Sequence, residues 1–399
     1  MTPHESVRPP WLTVWLTPRQ TIEYLVAKRP AYLVWPLAIL GTFASLYGQI
    51  VVIAGTTHLL GWQLVLSLLL FGAVIGIIWL YVAGLTLSWI GGLLGGAAPP
   101  LHMRAVFAWS TWPTILGFVA VLLIEASRAI TPDMVPLLVA GTSLWSLIVF
   151  LLMLGRVERF GIWRTILTYL LNLVLGLAAA LFIRSFLYQP FDIPSGSMRP
   201  TLLVGDYFFV SKFAYGYSRF SLPYSRFLPA GRVFASEPAR GDVVVFRRPN
   251  DTATDYVKRV VGLPGDRVQI KQGQLFINDR PVNRERLTDA DDPRDVCGFD
   301  FIGNVKRWRE TLPNGISYET LDCVDNGSFD NTDVYAVPDG HFFVLGDNRD
   351  NSIDSRVPAV GYIPFANLIG RVSIIFFSRE DTGGAPTRVR SHRIGRVVR

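Results

Sequence analysis

The sequence is poor in the residue types that support metal binding and histidine-assisted catalysis. It has two cysteines, Cys297 and Cys323, in 399 residues, and two cysteines cannot by themselves form a four-ligand zinc site. Only two of the five histidines, His341 and His392, fall in the second half of the chain. His341 lies in a strand pattern and His392 in an arginine-rich tail, so a Ser-His-Asp triad has little support. No run of His, Cys, Asp and Glu has metal-ligand spacing, and we expect neither a metal nor a cofactor.

Charged residues are also scarce. They make up 17% of the chain, whereas hydrophobic residues make up 50%, which argues against an ordinary soluble protein. The net charge is +7, but no Lys/Arg-rich run has interleaved aromatic residues, so nucleic-acid binding is not predicted. A basic balance on a membrane protein reflects loop topology and attraction to anionic lipid. Residues 1–30 are polar and contain Pro9, Pro10 and Pro18, so we expect no cleavable signal peptide there.

The apolar residues are crowded into the first half of the chain, in runs long enough to span a bilayer. We expect five spans, at about residues 31–54, 62–94, 106–125, 135–154 and 166–188. The second span is long enough to tilt and ends in GGLLGGAAPP. The third span contains Pro113, which should kink it.

Basic residues in short loops predict the orientation of these spans. Lysines and arginines are concentrated before the first span and before the fifth, and the loop between the first two spans has neither. This alternation places the N-terminus in the cytoplasm and, after five spans, everything beyond Tyr188 outside. A disulfide between Cys297 and Cys323 is then the leading interpretation, with two unpaired thiols as the alternative.

After Tyr188 the pattern becomes that of β-structure. Short apolar or alternating runs predict strands in DVVVFRRP, YVKRVVG, HFFVLGDN and RVSIIFFS, and RVQIKQGQLFINDRPV reads as a hairpin. Residues 283–336 are polar and rich in Asp and Asn, so we expect an inserted lobe or long irregular loops there. The predicted fold class is a multi-pass α-helical membrane domain followed by a mostly-β extracytoplasmic domain.

Lysine is scarce in this second half, and Lys258 has an unusual position. Strand alternation places Tyr256, Lys258 and Val260 on one face and Arg259 on the other. If Lys258 lies on a buried face, loss of hydration lowers the pKa of its amine, and a neutral amine can act as a general base. A half-exposed lysine at a strand edge is the alternative, and the spacing alone leaves both open.

The stretch FDIPSGSMRPTL directly follows the last apolar run and holds two serines between prolines. Proline, serine and glycine form turns, so a simple turn is one interpretation. The other is a nucleophile held at a fixed depth beside the bilayer.

Four segments resemble, in order, the sequence boxes of bacterial type I signal peptidases (leader peptidases) of the S26 family. They are FDIPSGSMRPTLLVGDYFFVSKFAYG, RGDVVVF, DYVKRVVGLPGDRV and GHFFVLGDNRDNSIDSR. The resemblance covers about residues 166–399, and the last two segments are specific on their own. It implies a membrane-bound serine endopeptidase that removes signal peptides from secreted preproteins with a Ser-Lys dyad. Cleavage would follow small residues in A-x-A type sites.

The resemblance also implies a role for each matching residue. Ser197 takes the position of the nucleophile and Lys258 that of the general base. The oxyanion hole would use the Ser195 hydroxyl and the Ser197 N–H, and Ser352 would hydrogen-bond the lysine amine. The supporting residues are Asp347 and Arg349, which would hold the strand of the lysine, and Asp354 and Arg356, which would form an ion pair. The substrate-binding positions are Phe191, Ile193, Met198, Leu202, Phe208, Val245, Tyr256 and Val257, with plain core as the alternative for each.

The region before the peptidase boxes adds a second resemblance. TPRQTIEYLVAKRPAY, the long second span and AVFAWSTWPTIL look like a Yip1-type membrane domain. The chain then divides into a four-span domain at 1–160, a transmembrane anchor at 161–190 and a β-rich catalytic domain at 191–399. Within the last, the insertion Phe220–Phe234 is expected either to enter the outer leaflet or to pack on the domain's own core.

The implied location is the bacterial cytoplasmic (inner) membrane, with the catalytic domain on the periplasmic side. The implied partners are signal-peptide-bearing preproteins, membrane lipid and the secretion translocon. Two alternatives stay open: a membrane scaffold with an inactive peptidase domain, and a peptidase specialised for one pilin or conjugation substrate. The presence of Ser195, Ser197, Lys258 and Ser352 favours an active enzyme.

Overall fold

The computed structural model describes residues 9–54, 62–127, 134–221, 231–289, 297, 304–380 and 388–398. It contains two compact units, Met1–Ala178 and Ala179–Arg399. The first unit is helical and the second mostly β, which confirms the predicted fold class. The finer division at residues 160 and 190 stays a prediction, and most of the insertion Phe220–Phe234 lies outside the described residues.

The first unit is built from helices. They are α1 (Pro10–Thr13), α2 (Pro18–Lys28), α3 (Val34–Ala54), α4 (Trp62–Leu93), α5 (Pro100–Ser110), α6 (Trp112–Ser127), α7 (Met134–Glu158) and α8 (Ile162–Phe182). In the described residues, five stretches are long and apolar enough to cross a membrane: Val34–Val52, Val65–Leu93, Pro100–Leu123, Met134–Glu158 and Ile162–Leu187. These agree in number and approximate position with the five expected spans.

The third stretch is broken at the predicted place. Helix α5 ends at Ser110 and α6 begins at Trp112, because Pro113 lacks an N–H and its ring collides with the carbonyl one turn back. The Thr111 hydroxyl donates to the Ala108 carbonyl at 2.7 Å, which satisfies one of the carbonyls left at the end of α5.

Small residues let the helices of this unit pack closely. A Cβ on Gly76 of α4 would lie 2.8 Å from the Ala38 carbonyl oxygen of α3, so only glycine fits at this crossing. The core also buries Trp109, whose Nε1 donates to the Tyr32 carbonyl at 3.1 Å, and the indole is therefore buried with its polar atom satisfied. Many large apolar side chains remain on the outer surface of the unit, as expected of helices that face lipid.

The second unit is built from strands. They are β1 (Tyr188–Asp192), β2 (Asp206–Ser211), β3 (Tyr217–Ser218), β4 (Arg232–Val233), β5 (Val243–Arg248), β6 (Asp251–Gly262), β7 (Arg267–Lys271), β8 (Gln274–Ile277), β9 (Arg280–Pro281), β10 (Asn283–Arg286), β11 (Lys306–Thr311), β12 (Ser317–Asp322), β13 (Tyr335–Ala336), β14 (His341–Leu345), β15 (Ile363–Pro364), β16 (Leu368–Glu380) and β17 (Arg388–Val389). All the strands named in the sequence analysis are present.

The largest sheet positions the functional residues. Its order is β1-β2-β16-β5-β6-β14-β15, with β17 paired to β16. Strand β6 lies between β5 and β14, so Lys258 sits in an interior strand, opposite Val244 in the β5–β6 pairing. Residues 346–356 follow directly from the end of β14, next to Arg259 of β6, which is opposite Leu345.

The segment 283–336 was expected to form either an inserted lobe or long irregular loops. Its described residues contain a three-stranded antiparallel sheet, β10-β11-β12, and the short strand β13 that joins β7, β8 and β9 in another sheet. A disulfide links Cys297 to Cys323, with Cα atoms 6.0 Å apart. The parallel bridge between Leu321 and Asn348 connects the end of β12 to the segment after β14.

The C-terminal tail packs on the large sheet. Arg393 is buried and its Nε donates to Asp206 Oδ1 at 3.0 Å, which offsets the cost of burying both charges. The Val398 N–H donates to the Ser373 carbonyl of β16. The tail is therefore part of the folded domain.

Candidate active site

The serine-containing segment folds into a tight turn between β1 and β2. Residues Gly196–Met198 form a single 3₁₀ turn, and the Leu202 N–H donates to the Met198 carbonyl at 2.9 Å. Met198 is buried and anchors the turn, whereas Ser197 is only half-buried. The Oγ atoms of Ser195 and Ser197 are 3.3 Å apart. Two hydroxyls are thus held side by side at the surface of the domain.

Lys258 reaches this turn from β6. Its Nζ donates to Ser197 Oγ at 2.7 Å and to the Val257 carbonyl at 2.9 Å. Its side chain is 4% exposed. Lys258 therefore lies on a buried face of the strand and is not a half-exposed lysine at a strand edge. Nζ also lies 5.5 Å from the centre of the Tyr256 ring.

Burial changes the acid-base properties of this amine. Loss of hydration lowers the pKa of Lys258 to about 8, although the carboxylates of Asp354 and Asp347 act in the opposite direction. A fraction of the amine is then neutral near physiological pH. A neutral amine 2.7 Å from a serine hydroxyl can accept its proton.

The segment after β14 places an ion pair near the Lys258 amine. Asp354 accepts two hydrogen bonds from Arg356, at 2.9 Å to Nε and 2.9 Å to Nη2, which forms the expected ion pair. Burial alone would raise the pKa of Asp354, but the Arg356 guanidinium and the Gly346 N–H hold it below its usual value. The Asp354 carboxylate therefore stays charged in the interior.

Ser352 lines the same cavity as Ser197 and Lys258. The hydrogen bonds of the lysine amine go to Ser197 and Val257, so the bond expected between Ser352 and Lys258 is not formed in this structure. Instead the Ser352 hydroxyl lies against Gly346, where a Cβ would come 2.2 Å from Ser352 Oγ and 2.6 Å from the Ser197 carbonyl oxygen. Gly346, which sequence reasoning passed over, is needed so that these elements can approach each other.

Arg259 is a second residue that sequence reasoning missed. Its side chain is fully buried and donates to both oxygens of Asp347, at 2.8 and 2.7 Å. The Thr201 hydroxyl donates to the same carboxylate at 2.5 Å, and the Asn348 N–H donates to the Ser197 carbonyl at 3.1 Å. Asp347 thus connects the strand of the lysine to the loop of the serine. The signal was present in the sequence, because two adjacent basic residues in one strand point to opposite faces.

Arg349 contacts a different element from the expected one. It donates to Glu310 of β11 at 2.5 Å and lies 3.5 Å from the Tyr318 hydroxyl of β12. Tyr318 in turn donates to Glu310 at 2.9 Å, and its ring lies 4.1 Å below the Arg259 guanidinium. Arg349 therefore connects the three-stranded sheet to the segment that follows β14, and it contacts Tyr318, which packs against Arg259 in the strand of the lysine.

A cavity of about 720 Å³ opens around Ser197 and Lys258. Five of the eight predicted substrate-binding residues line it: Phe191, Ile193, Met198, Tyr256 and Val257. The other three, Leu202, Phe208 and Val245, are fully buried in the core behind it. Sequence reasoning missed the wall formed by Phe329, Ile353 and Val357. The cavity is largely apolar, with the two hydroxyls and the amine at one point of its surface.

Comparisons with known proteins agree with this geometry. Residues 166–377 match the family described as signal peptidase, peptidase S26. Signal peptidase I of Rickettsia typhi is 44% identical over 211 residues, which cover 51% of this chain and 77% of that protein. Signal peptidase I of Rickettsia massiliae is 42% identical over 219 residues, covering 53% and 79%.

A solved structure is also similar, that of a signal peptidase I from Enterococcus faecalis. It is 26% identical, covers 34% of this chain and 97% of its own, and superposes with a TM-score of 0.20. The family match takes in just over half of the chain and includes the serine turn, the strand of the lysine and the segment after β14. The chain belongs to the signal peptidases of the peptidase S26 family.

Proposed function

We propose that the protein cleaves preproteins by a Ser-Lys dyad in which Ser197 is the nucleophile and Lys258 the general base. The observation that carries this proposal is the 2.7 Å contact between Lys258 Nζ and Ser197 Oγ, made by a lysine that is 4% exposed. A serine hydroxyl is a weak nucleophile until an adjacent base takes its proton. A buried lysine serves as that base without a third charged residue, since burial supplies the pKa shift.

The proposed reaction proceeds in two steps. Neutral Lys258 accepts the proton of Ser197 Oγ as that oxygen bonds to the carbonyl carbon of the scissile peptide. The resulting ammonium gives the proton to the leaving amine, and the C–N bond breaks to leave an acyl-enzyme. Water then attacks the ester, again with Lys258 as base, and releases the signal peptide and free Ser197. The Ser195 hydroxyl, 3.3 Å from Ser197 Oγ, and the Ser197 N–H would stabilise the oxyanion.

The cavity supports a preference for small apolar residues before the scissile bond. Ile193, Met198 and Val257 line its wall beside the dyad, and secretory signal peptides end in an A-x-A-like pattern. Apolar walls close to the nucleophile leave room for alanine side chains and exclude charged ones. We infer that the residues preceding the cleavage site bind in this cavity.

We further propose that the five apolar stretches span the bacterial inner membrane. The arginine distribution supports a cytoplasmic N-terminus and a periplasmic catalytic domain. Membrane lipid and the secretion translocon are the proposed neighbours of the enzyme, and the first four spans are proposed to form a Yip1-type domain. The polar helix α2 before the first apolar stretch is compatible with a cytoplasmic location.

The dyad is tested by substitution in the full-length protein. Ser197→Ala and Lys258→Ala should each abolish preprotein cleavage while leaving the fold intact. Lys258→Arg should also be inactive, because a guanidinium stays protonated and cannot act as a base. Cleavage is measured on gels with purified preprotein, and circular dichroism checks the fold. Substantial activity in Lys258→Arg would refute the assignment of the base.

A further inference from the structure

A second cavity begins where the nucleophile loop leaves the active site. Its volume is about 370 Å³, and its lining residues are Pro200, Thr201, Arg307, Arg309, Ser317, Tyr318, Glu319, Arg396, Val397 and Val398. It shares no lining residue with the active-site cavity. The two cavities are nevertheless connected by the chain, because residues 193–195, 197 and 198 line the first and Pro200 and Thr201 line the second.

The second cavity is positively charged. Three arginines line it against one carboxylate, Glu319. Arg307 already donates to that carboxylate, at 2.9 Å from Nε and 2.7 Å from Nη2. In the part of the chain that the structure describes, the ion pair of Arg309 is with Glu285, at 3.4 Å, and both side chains are largely exposed. Two guanidinium groups, those of Arg309 and Arg396, are therefore available to a ligand.

Arg396 is the more open of the two. It is exposed, and in the described part of the chain it forms no ion pair or side-chain hydrogen bond. Its backbone is fixed, since its carbonyl accepts the Ile375 N–H of β16. Arg309 is likewise fixed by β11, opposite Glu319 in the register of the sheet. Both charges thus have defined positions, and a ligand does not have to order the backbone that carries them.

The distance between the cavities suits a polypeptide. Thr201 is four residues after Ser197, so its Cα lies at most about 14 Å from that of the nucleophile. An extended chain advances about 3.3 Å per residue. A substrate bound at Ser197 therefore needs at most about four residues to reach the edge of the second cavity. The residues before the scissile bond are proposed to occupy the apolar cavity, which leaves the residues after it for the second one.

We propose that this arginine-lined cleft binds acidic side chains of the mature part of preproteins, at about the fourth to seventh residue after the scissile bond. The cleft then favours cleavage of preproteins that carry Asp or Glu there. This inference rests on the proposed role of Ser197 as the nucleophile. A lipid surface is the less favoured ligand, since the lining residues include no Trp, Phe or Leu, the side chains with which proteins anchor in the interface.

The test uses three preproteins that differ only at residues four to seven of the mature part. One carries Asp or Glu at all four positions, one Asn or Gln and one Lys. The full-length enzyme is assayed in vesicles of one neutral lipid composition. We expect kcat/KM for the acidic preprotein to exceed that of the neutral one by about threefold to tenfold, because exposed ion pairs are individually weak. The ratio should fall towards one in 0.5 M salt, where the Debye length is only about 4 Å.

Two variants of the cleft test whether its arginines cause this preference. In Arg309→Gln/Arg396→Gln the ratio between acidic and neutral preproteins should fall to about one. In Arg309→Glu/Arg396→Glu the lysine-bearing preprotein should become the better substrate. The matched control is Arg267→Gln, which removes an exposed arginine of β7 that lines neither cavity, and it should keep the wild-type ratio.

Two outcomes would overturn the proposal. One is an unchanged ratio in the double Gln variant. The other is an equal loss on all three preproteins that appears only when the assay is repeated in vesicles containing anionic lipid, which would assign the arginines to a lipid surface. Failure of the proposed nucleophile has a different signature, since Ser197→Ala would then still cleave all three preproteins. The ratio of kcat/KM between acidic and neutral preproteins is measured with enzymes that keep Ser197, so it does not depend on the activity of Ser197→Ala.

Discussion

The pKa of Lys258 sets the expected pH dependence of cleavage. Burial lowers it to about 8, and the amine acts as a base only when it is neutral. Below pH 8 the neutral fraction falls about tenfold per pH unit, so kcat/KM should rise through pH 6 and 7 and level off above about pH 8. The measurement is kcat/KM for one preprotein between pH 5.5 and 9.5 at constant ionic strength. A rate that stays flat between pH 5.5 and 8 would contradict the assignment, provided that circular dichroism shows no unfolding.

Gly346 offers a steric test of the same site. In Gly346→Ala the new methyl group would lie 2.2 Å from Ser352 Oγ and 2.6 Å from the Ser197 carbonyl oxygen, so the serine loop has to move. A displacement of about 1 Å can cost about 10²-fold in rate, and we expect a loss of that order in kcat. Gly196→Ala is the matched control, because its methyl group would meet nothing closer than 3.6 Å. Equal activity of both variants would show that the loop tolerates the contact.

At the level of single residues, sequence reasoning found the groups but could not assign their surroundings. The alternation in β6 separated Lys258 from Arg259 without telling which face is buried, and both faces turn out to be buried there. Leu202 and Val245 are as apolar as Ile193, yet only Ile193 lines the cavity. Pocket wall and core have the same composition, and only the three-dimensional packing distinguishes them.

At the level of elements, the three-stranded sheet is coupled to the segment that follows β14 through buried charges. Glu310→Gln would leave Arg349 buried without a countercharge, and breaking such a pair typically costs about 3–5 kcal/mol. We expect a large fall in the unfolding midpoint in denaturant, measured in detergent micelles. Glu285→Gln is the control, since its pair with Arg309 is exposed and contributes about 0–1 kcal/mol. A small effect of Glu310→Gln would mean that solvent reaches Arg349.

A double variant separates loss of charge from loss of packing. Replacing both partners, as in Glu310→Met/Arg349→Leu, removes the buried charges together, and such replacements are often neutral or stabilising. The double variant should therefore recover most of the stability lost in Glu310→Gln. If it is as unstable as the single variant, the hydrogen bond from Tyr318 to Glu310 matters more than the charge balance.

The same sheet shows why some of the strands could not be predicted from the sequence. The strands with alternating apolar residues, such as β7 and β8, were predicted, because their periodicity reflects a buried face. Strands β11 and β12 are instead held by cross-strand charge pairs such as Arg307 with Glu319, and by Arg284 stacked 3.9 Å from the Trp308 ring. Their sequences, KRWRET and SYETLD, therefore resemble those of polar loops.

At the level of the whole molecule, the dyad and the residues proposed to support it follow the last apolar stretch. The five stretches agree with the hydropathy pattern. A run of about twenty apolar residues in lipid has to satisfy its own backbone N–H and C=O groups, and a helix does this within the segment. Orientation stays a prediction, since the arginines that determine it act during insertion and leave no mark on helix packing. The Yip1 resemblance stays a prediction for a similar reason, because apolar helical composition dominates it.

The last helix before the proposed dyad, α8, makes few polar contacts with the helices that precede it. Within its own unit α8 buries only Thr165 and Thr168, and a single side-chain hydrogen bond, from Thr86 to Asn172 at 3.2 Å, joins it to α4 in the described residues. Its large apolar side chains, including Leu170, Val174 and Leu177, are exposed. Removing the upstream helices would thus leave few unsatisfied polar groups on α8.

A truncated protein that begins near Arg156 should therefore insert with its C-terminus outside and still process a preprotein. Arg156, Arg159 and Arg164 precede the span and would hold its first end in the cytoplasm. The measurement is cleavage per folded molecule for the truncated and full-length proteins in the same lipid, with protease accessibility as the control for orientation. If the truncated protein is folded and correctly oriented but inactive, the upstream helices set the position of Ser197 relative to the membrane and are part of the enzyme.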